Sequence, residues 1–446
     1  MEQTVTQVTD WIIRFNAFLW GAPMLVLILG ISLYFTWKLG FIQKHLFHSI
    51  RLSIKKDNSK GMISGFGALV IALAAMVGTG NIVGVAAAVA TGGPGALFWM
   101  MFSAFFAMAT KYAESVLSVK YREKNAEGEY VGGPMYVLKN GLNMKKTAVV
   151  FALATALMGF ADALMQTNSI VDIYGATYGV SQWVSTGIIV LLTATVILGG
   201  VKKIAEFCKW LVPFMAVGYI ILCVAVIILN VGKVPWAIAL IFKSAFTGTA
   251  VVGGAVGITI KEAIRYGVSR GVLSNEAGSG SGAIAAAAAK TPNPVRQGLI
   301  SATTVFWDTL VICLLSGVAV VVAGDWQSGN SFGAALAGSA FSQIPAGSFL
   351  LLVALTLFAF STLVGWSFYT AKAVQFCLKG KVEKPVYIVW LCVMVLGGFL
   401  SPRLVWELAD TVIAVMCLPN ILALWLLRKE VLSETAKYLP GELKTK

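Results

Sequence analysis

The chain has 446 residues, 58% apolar and 12% charged, about half the charged share of an ordinary soluble domain. Apolar stretches of about 20 residues recur, each long enough to cross a hydrocarbon core of about 30 Å, which excludes a water-soluble globular fold and predicts a polytopic all-α membrane protein. The formal charge of +14 does not point to nucleic acid: the cations cluster in short loops between apolar segments, as the positive-inside rule requires, with no aromatic-basic motif among them.

In chain order, eleven spans are predicted, at about 17–38, 64–90, 95–118, 147–172, 182–200, 205–231, 262–290, 297–323, 348–372, 385–401 and 405–428. The opening "MEQTVTQVTDWIIRFN" lacks the basic n-region of a signal peptide, so the first apolar segment is expected to stay as a membrane helix. Residues 41–60 are basic and amphipathic. His45 and His48 there have a spacing that could seat a metal, but no third ligand type lies nearby, so a surface helix is the preferred reading. Six cysteines lie in or beside apolar segments without a CxxC pair, and packing is expected of them.

Orientation follows from the loops. Residues 111–146 hold seven Lys or Arg, and further cations follow the fifth, seventh and ninth segments, whereas 173–181 and 324–347 hold none. This predicts the N-terminus outside and the C-terminus in the cytoplasm, in a cell membrane. The segment 232–270 is the exception: it carries Lys233, Lys243, Lys261, Arg265 and Arg270 on the supposed outer side, and either folds back at the membrane surface or breaks the count.

The stretch "GTGNIVGVAAAVATGGPG", residues 78–95, places helix-breaking residues inside an apolar segment, and it repeats 200 residues on. Gly78-Thr79-Gly80-Asn81 aligns with Gly278-Ser279-Gly280-Ser281, and Thr91 and Pro94 align with Thr291 and Pro294. The second and seventh spans carry these motifs and lie five spans apart, so they cross in opposite directions. The expected organisation is two inverted five-helix repeats plus one extra N-terminal transmembrane helix. Residues 1–60 would hold that helix and a basic linker, 61–428 a ten-helix core with repeats of about 61–231 and 262–428, and 429–446 a cytoplasmic tail.

A helix broken in lipid leaves backbone groups unpaired, which is tolerated only where they line a cavity or bind something. Breaks at matching positions of inverted halves point to a substrate site near the bilayer midplane. The glycine spacing also approaches a dinucleotide fingerprint, but the strand and the acidic residue that motif needs are missing. Gly80-x-x-x-Gly84 alone could be a helix-packing surface; the repeat and Asn81 favour a binding site.

"GTGNIVGVAAAVATGGPGALFWM", "GEYVGGPMYVLKNGL", "GVSRGVLSNEAGSGSGAIAAAAA" and "FAFSTLVGWSFY" resemble the alanine or glycine:cation symporter family over nearly the whole chain. The resemblance implies a leucine-transporter-like fold and uptake of a small neutral amino acid, alanine or glycine, together with sodium. It implies that Thr79, Gly80 and Asn81 hold the substrate carboxylate at the first break, with Asn275, Gly278, Ser279 and Gly280 at the second. Gln166 would face the substrate. Thr362 and Trp366, on one helix face, would close the side-chain end, although a packing or lipid-facing Trp is the competing reading. One sodium would lie between carbonyls around Ala74 and Val77 and the hydroxyls of Ser361 and Thr362, oxygen ligands of the kind hard cations prefer. Back-bonding to helix carbonyls is the alternative for those hydroxyls.

Asp162 departs from the family pattern, which has a Gly-Asn-Met-type stretch before the core-helix Gln. An intramembrane carboxylate is costly and by default functional. It can hold the substrate ammonium, ligate a cation or take a proton, and the competing reading is a carboxylate bonded to a neighbouring helix. Glu276 is expected to support the broken helix, Asp308 lies within a span, and Asp172 and Glu114 are expected at the interfaces. The sequence thus predicts a sodium-coupled secondary transporter working by alternating access, needing no cofactor beyond the coupling ion and showing no protein partner. Proton coupling or a different small amino acid is the alternative. An ion channel is disfavoured because no filter sequence or charged ring appears. An enzyme is disfavoured because no HExxH, GxSxG or paired catalytic carboxylates appear in the spans.

Overall fold

Backbone polar groups in hydrocarbon must be satisfied within the chain, and helices do this here almost everywhere. The computed structural model describes residues 2–55, 59, 61–247, 259–328, 333–380 and 382–444. In the first half, α1 (Glu2–Leu19) and α2 (Ala22–Lys38) are followed by α3 (Leu46–Ile54), α4 (Gly65–Met76), α5 (Val83–Gly92) and α6 (Gly95–Lys120). A small antiparallel hairpin, β1 (Glu123–Lys124) and β2 (Tyr130–Val131), pairs Glu123 with Val131. Then come α7 (Pro134–Tyr136), α8 (Lys145–Tyr178), α9 (Gln182–Ile197), α10 (Gly200–Leu229) and α11 (Val234–Thr247). The second half holds α12 (Ile260–Asn275), α13 (Gly282–Ala288), α14 (Pro294–Val305), α15 (Leu314–Ala323) and α16 (Gly333–Phe341). It ends with α17 (Gly347–Leu378), α18 (Glu383–Gly397), α19 (Pro402–Leu426) and α20 (Arg428–Lys444).

Among the described residues, seven helical stretches are long and apolar enough to cross a membrane, or eight if the bent pair α4–α5 counts as one span. The sequence predicts eleven. The other three fall where expected but are short or charged: α9 has 16 residues, α18 has 15, and the α12–α13 pair is polar and interrupted. Several boundaries move. The first span begins earlier, at Trp11, and runs to Lys38. The second span bends by 64° between α4 and α5. The seventh divides into α12 and α13 around residues 276–281. Large apolar side chains such as Trp183, Leu191, Phe214, Ile221 and Val389 stand exposed on α9, α10 and α18, the surface expected to face lipid.

Part of the anomalous basic segment forms α11. α11 buries Ala237, Ile241, Ser244 and Ala245 and leaves Trp236, Ile238, Phe242 and Phe246 exposed. It packs on α6, where the Trp99 indole donates to the Ala245 carbonyl at 3.1 Å. Residues 248–258 lie outside the described part of the chain.

Helix ends follow local chemistry. The Ser64 hydroxyl accepts from Gly67 N–H at 2.9 Å and starts α4, while the Asn293 side chain accepts from Arg296 N–H at 2.9 Å and starts α14 ahead of Pro294, as N-cap residues do. The core is built by α8 against α17 and by α6 against α12 and α14. The two broken helices also meet outside their breaks: Ile63, ahead of α4, bridges Ala289, after α13, with Lys290 N–H donating to the Ile63 carbonyl at 2.7 Å. α17 meets α4 at Gly365, where a β-carbon would stand 2.6 Å from the Ala75 backbone nitrogen. Only glycine permits that approach, so Gly365→Val should force the helices apart. We expect loss of the monodisperse peak in detergent size exclusion, or a melting temperature lowered by at least 5 °C, as overpacking costs about 1–3 kcal/mol.

α20 docks against the end of α6. Lys120 reaches Glu430 at 2.7 Å and Glu434 at 3.1 Å, Tyr121 also donates to Glu430, and the Tyr112 and Thr435 hydroxyls are 2.8 Å apart. Burial alone raises the Glu430 carboxyl, but hydrogen bonds from Lys120 and Tyr121 outweigh it and hold it below its ordinary 4.5. A carboxyl lowered in the folded state contributes fully above its unfolded value and loses that contribution as pH falls through the folded one. Hydrogen-exchange protection of residues 428–444 should therefore fall as pH drops below about 4.5. The dependence should vanish in Glu430→Gln. Because the pair is partly solvated, the effect should be small.

Candidate substrate and cation site

The first break, Val77 to Ile82, exposes backbone that the Asn81 carboxamide and, behind it, the Asp308 carboxylate repair. Gly78 N–H would satisfy the Ala74 carbonyl if α4 continued, but it donates to the Asn81 side chain at 2.9 Å. The Asn81 amide in turn donates to Asp308 Oδ1 at 2.7 Å. Asp308 also receives Ser274 Oγ and Thr309 Oγ1, both at 2.7 Å to Oδ2. It sits in a π-helical turn, Phe306–Cys313, between α14 and α15, a local widening of a kind frequent at functional sites. One carboxylate thus ties the first break to the end of α12.

The second break is held by a separate set. Glu276 adopts a left-handed conformation at the end of α12 (φ 54°), and Gly278 and Gly280 have φ of 96° and 79°. Gly278 N–H donates to Glu114 Oε1 at 2.8 Å, and the Asn420 amide donates to both Glu114 Oε1 and the Gly278 carbonyl at 2.8 Å. Ser281 donates to the Glu276 carboxylate and Ser279 to the Glu276 carbonyl. Glu276 therefore braces the broken helix, as the sequence predicts. Glu114 is not interfacial: it is buried, 2% exposed, against the second break. Nor is Lys111 a loop cation. It is 1% exposed inside α6 and donates to the Asn275 carbonyl at 3.1 Å.

Between the breaks lies a small cavity, with about 20 Å³ open to the centre of a water-sized sphere. Gly78 and Gly80 from the first break, Asp162 and Gln166 from α8, Thr362 and Trp366 from α17, and Glu276 line it, with Met158, Met165, Leu273 and Ile413 supplying apolar walls. Gln166 Nε2 donates to Asp162 Oδ1 at 3.0 Å, and Thr79 Oγ1 donates to Gln166 Oε1 at 3.0 Å. Asp162 Oδ2 is buried with no partner among the described residues, and a buried carboxylate oxygen left so is costly. Trp366 is 2% exposed and faces the cavity rather than lipid. Next to this cavity, Ser361 and Thr362 both donate to the Val77 carbonyl freed at the break, at 3.1 and 3.3 Å, and also to the helix carbonyl of Phe358. The two hydroxyls thus combine back-bonding within α17 with a reach across to the carbonyl freed at the first break.

A second, wider chamber of about 1040 Å³ adjoins. Thr79, Val83, Asn168, Arg270, Trp406 and Glu407 are among its walls. Arg270 forms a two-point ion pair with Asp410, at 3.0 and 2.8 Å. Thr79 faces this chamber while its hydroxyl bonds to Gln166 of the smaller one, so Thr79 and Gln166 stand between the two.

The structure thus gathers Gly80, Asp162, Gln166, Thr362 and Trp366 around one cavity, with Val77 and Ser361 hydrogen-bonded to each other beside Thr362, while Ala74 is buried in α4 and does not line it. Asn81, Asn275, Gly278, Ser279 and Gly280 do not line it. The Asn81 amide is committed to Asp308, the Asn275 side chain bonds Thr309 and Ala277 N–H, and the glycine stretch packs on Glu114 and Asn420. The sequence reading missed Lys111, Glu114 and Asn420. The available signal was charge within the apolar stretch 95–118.

These features define a multi-pass membrane protein with a central polar site between broken helices. The sodium:alanine symporter family profile matches residues 5–445. The chain is 44% identical over 430 residues to an uncharacterized transporter of Haemophilus influenzae, covering 95% of this chain and 94% of that one. It is 42% identical over 436 residues to the sodium/alanine symporter AgcS of Methanococcus maripaludis, covering 95% of each. It is 36% identical over 431 residues to the probable sodium/glutamine symporter GlnT of Bacillus subtilis, covering 95% of this chain and 89% of that one. The chain belongs to the sodium:alanine symporter family. It is an amino-acid:cation symporter, not an enzyme.

Asp308 links the breaks, so its removal should show in stability. Asp308→Leu strands the Asn81 amide and the Ser274 hydroxyl, each worth about 1–3 kcal/mol when buried unpaired. We expect a thermal shift of several degrees downward, with Asp308→Asn losing less, measured by fluorescence-detected melting of purified protein.

Proposed function

We propose that this protein imports alanine or glycine together with sodium by alternating access, on a leucine-transporter-like fold of two inverted five-helix repeats and one extra N-terminal helix. The observation that carries the reading is the small cavity between a broken helix and the Asp162–Gln166 pair. Broken helices serve this purpose in inverted-repeat transporters. Residues 1–60 form the extra helix and linker, 61–428 the ten-helix core and 429–446 the tail. The N-terminus lies outside and the C-terminus in the cytoplasm, which puts the wide chamber on the outer side.

The substrate carboxylate meets the backbone at Thr79 and Gly80 and the positive end of α5. The ammonium sits against Asp162 Oδ2, which lacks a partner, and the Gln166 carbonyl. Trp366 and the methionines enclose the side chain and leave room for a methyl group or hydrogen. Asn81, Asn275, Gly278, Ser279 and Gly280 maintain the breaks. Sodium takes the carbonyls of Ala74 and Val77 and the hydroxyls of Ser361 and Thr362, a neutral oxygen set suited to a hard cation. Its arrival would turn both hydroxyls away from Val77 and join α4 to α17, coupling ion binding to substrate closure.

Asp162 favours a second reading. A buried carboxylate beside the substrate can carry a proton, and a proton would then replace or accompany sodium.

Both readings are tested by uptake of radiolabelled alanine and glycine into proteoliposomes. Uptake driven by an inward sodium gradient supports symport with sodium, and uptake driven equally by a proton gradient supports the second reading. Asp162→Asn should lower alanine uptake at least tenfold, about 1.4 kcal/mol, with the loss in apparent affinity. Unchanged uptake would remove Asp162 from the site.

A further inference from the structure

Four carboxylates lie buried in the helical core among the described residues: Glu114, Asp162, Glu276 and Asp308. Two cations are buried among the described residues, Lys111 and Lys372. Lys372, toward the end of α17, pairs with Glu129 at 3.3 Å and Glu383 at 2.6 Å, away from the breaks. Only Lys111 sits with the core carboxylates. A charged side chain at membrane depth costs several kcal/mol unless something there needs it, so its surroundings bear on its task.

The ammonium donates at 3.1 Å to the carbonyl of Asn275, the last residue of α12. It lies so near the start of α13 that a β-carbon on Gly282 would stand 3.0 Å from Nζ. It therefore occupies the break itself, at the negative end of the α12 half-helix. Glu114, one turn along α6, turns Oε1 to Gly278 and Asn420, and its Oε2 is buried with no partner among the described residues. Freed carbonyls at half-helix C-termini beside carboxylates are the places where such transporters bind coupling cations.

We infer that the Lys111 ammonium is a tethered cation standing where a second coupling ion would bind, at the break between α12 and α13, so that one sodium, at the first break, travels with each amino acid. This rests on the symport reading above. The two breaks are then chemically unlike. At the first, the Val77 carbonyl and the hydroxyls of Ser361 and Thr362 offer neutral oxygens to a mobile ion. The second has carboxylates and carries its positive charge on the chain, which stays through the whole cycle. Lys111 is a positioning residue: it fixes the charge of the second break and touches no substrate.

The test measures sodium-22 and carbon-14 alanine fluxes together in proteoliposomes, with the sodium dependence of uptake. Wild type should move one sodium per alanine with a Hill coefficient near one. Lys111→Ser removes the ammonium and leaves a hydroxyl and the Asn275 carbonyl beside the vacated space, with the Glu114 carboxylate one turn along α6, oxygens of the kind that suit sodium. The flux ratio should rise towards two and the Hill coefficient with it, which loss of a merely structural contact would not produce. Two sodium ions per alanine in wild type would overturn the inference while leaving symport intact. A folded Lys111→Ser protein with unchanged ratio and sodium dependence would overturn it too. Should that variant fail to fold, the wild-type ratio decides. Absence of any sodium-driven uptake would remove the symport reading and this inference with it.

Discussion

The rest of the structure depends on one constraint: two helices are interrupted in the apolar core, and every backbone group freed there must find a partner. Carboxylates supply most of the answer. Asp308 takes up Asn81 from the first break and Ser274 from the end of α12, while Glu114 and Glu276 hold the second break through Gly278, Asn420 and Ser281. A buried donor left without a partner would cost about 1–3 kcal/mol. The breaks are thus held open as defined gaps rather than closing into continuous helix.

That bracing lets α8 and α17 present side chains to the gap. Asp162 and Gln166 are one turn apart on α8, Thr362 and Trp366 one turn apart on α17, and both pairs face the same cavity. The close approach at Gly365 brings α17 onto α4, so the Val77 carbonyl and the hydroxyls of Ser361 and Thr362 meet. A ligand that draws on both helices would stabilise their contact, and a change at one break would reach the other through Asp308.

Much of the site was legible in the residues. The glycines at 78–80 and 278–280 marked both breaks, because only a binding or cavity role tolerates such chemistry in lipid. The i, i+4 spacing of Asp162 with Gln166, and of Thr362 with Trp366, placed each pair on a single face. Asn81 was harder. Its proximity to the breaking glycines suggested a ligand contact, but the amide is committed to Asp308, 227 residues away in sequence. Lys111 and Glu114 read as the start of a basic loop and an interfacial acid, because the next cations follow at Lys120 and Arg122. Their burial becomes visible only once α12, α13 and α19 close around α6.

The sequence by itself determined that this is a multi-pass membrane protein, where its helices break, and which family it resembles. These are local properties, set by apolar run length, by glycine's lack of a side chain and by short motifs. The tertiary structure alone decided which polar groups near the breaks face the cavity and which hold the scaffold. That choice depends on partners hundreds of residues apart, Asn81 with Asp308 and Gly278 with Glu114 and Asn420, brought together when the helices pack. No periodicity in the chain encodes which buried hydrogen bonds will be filled first.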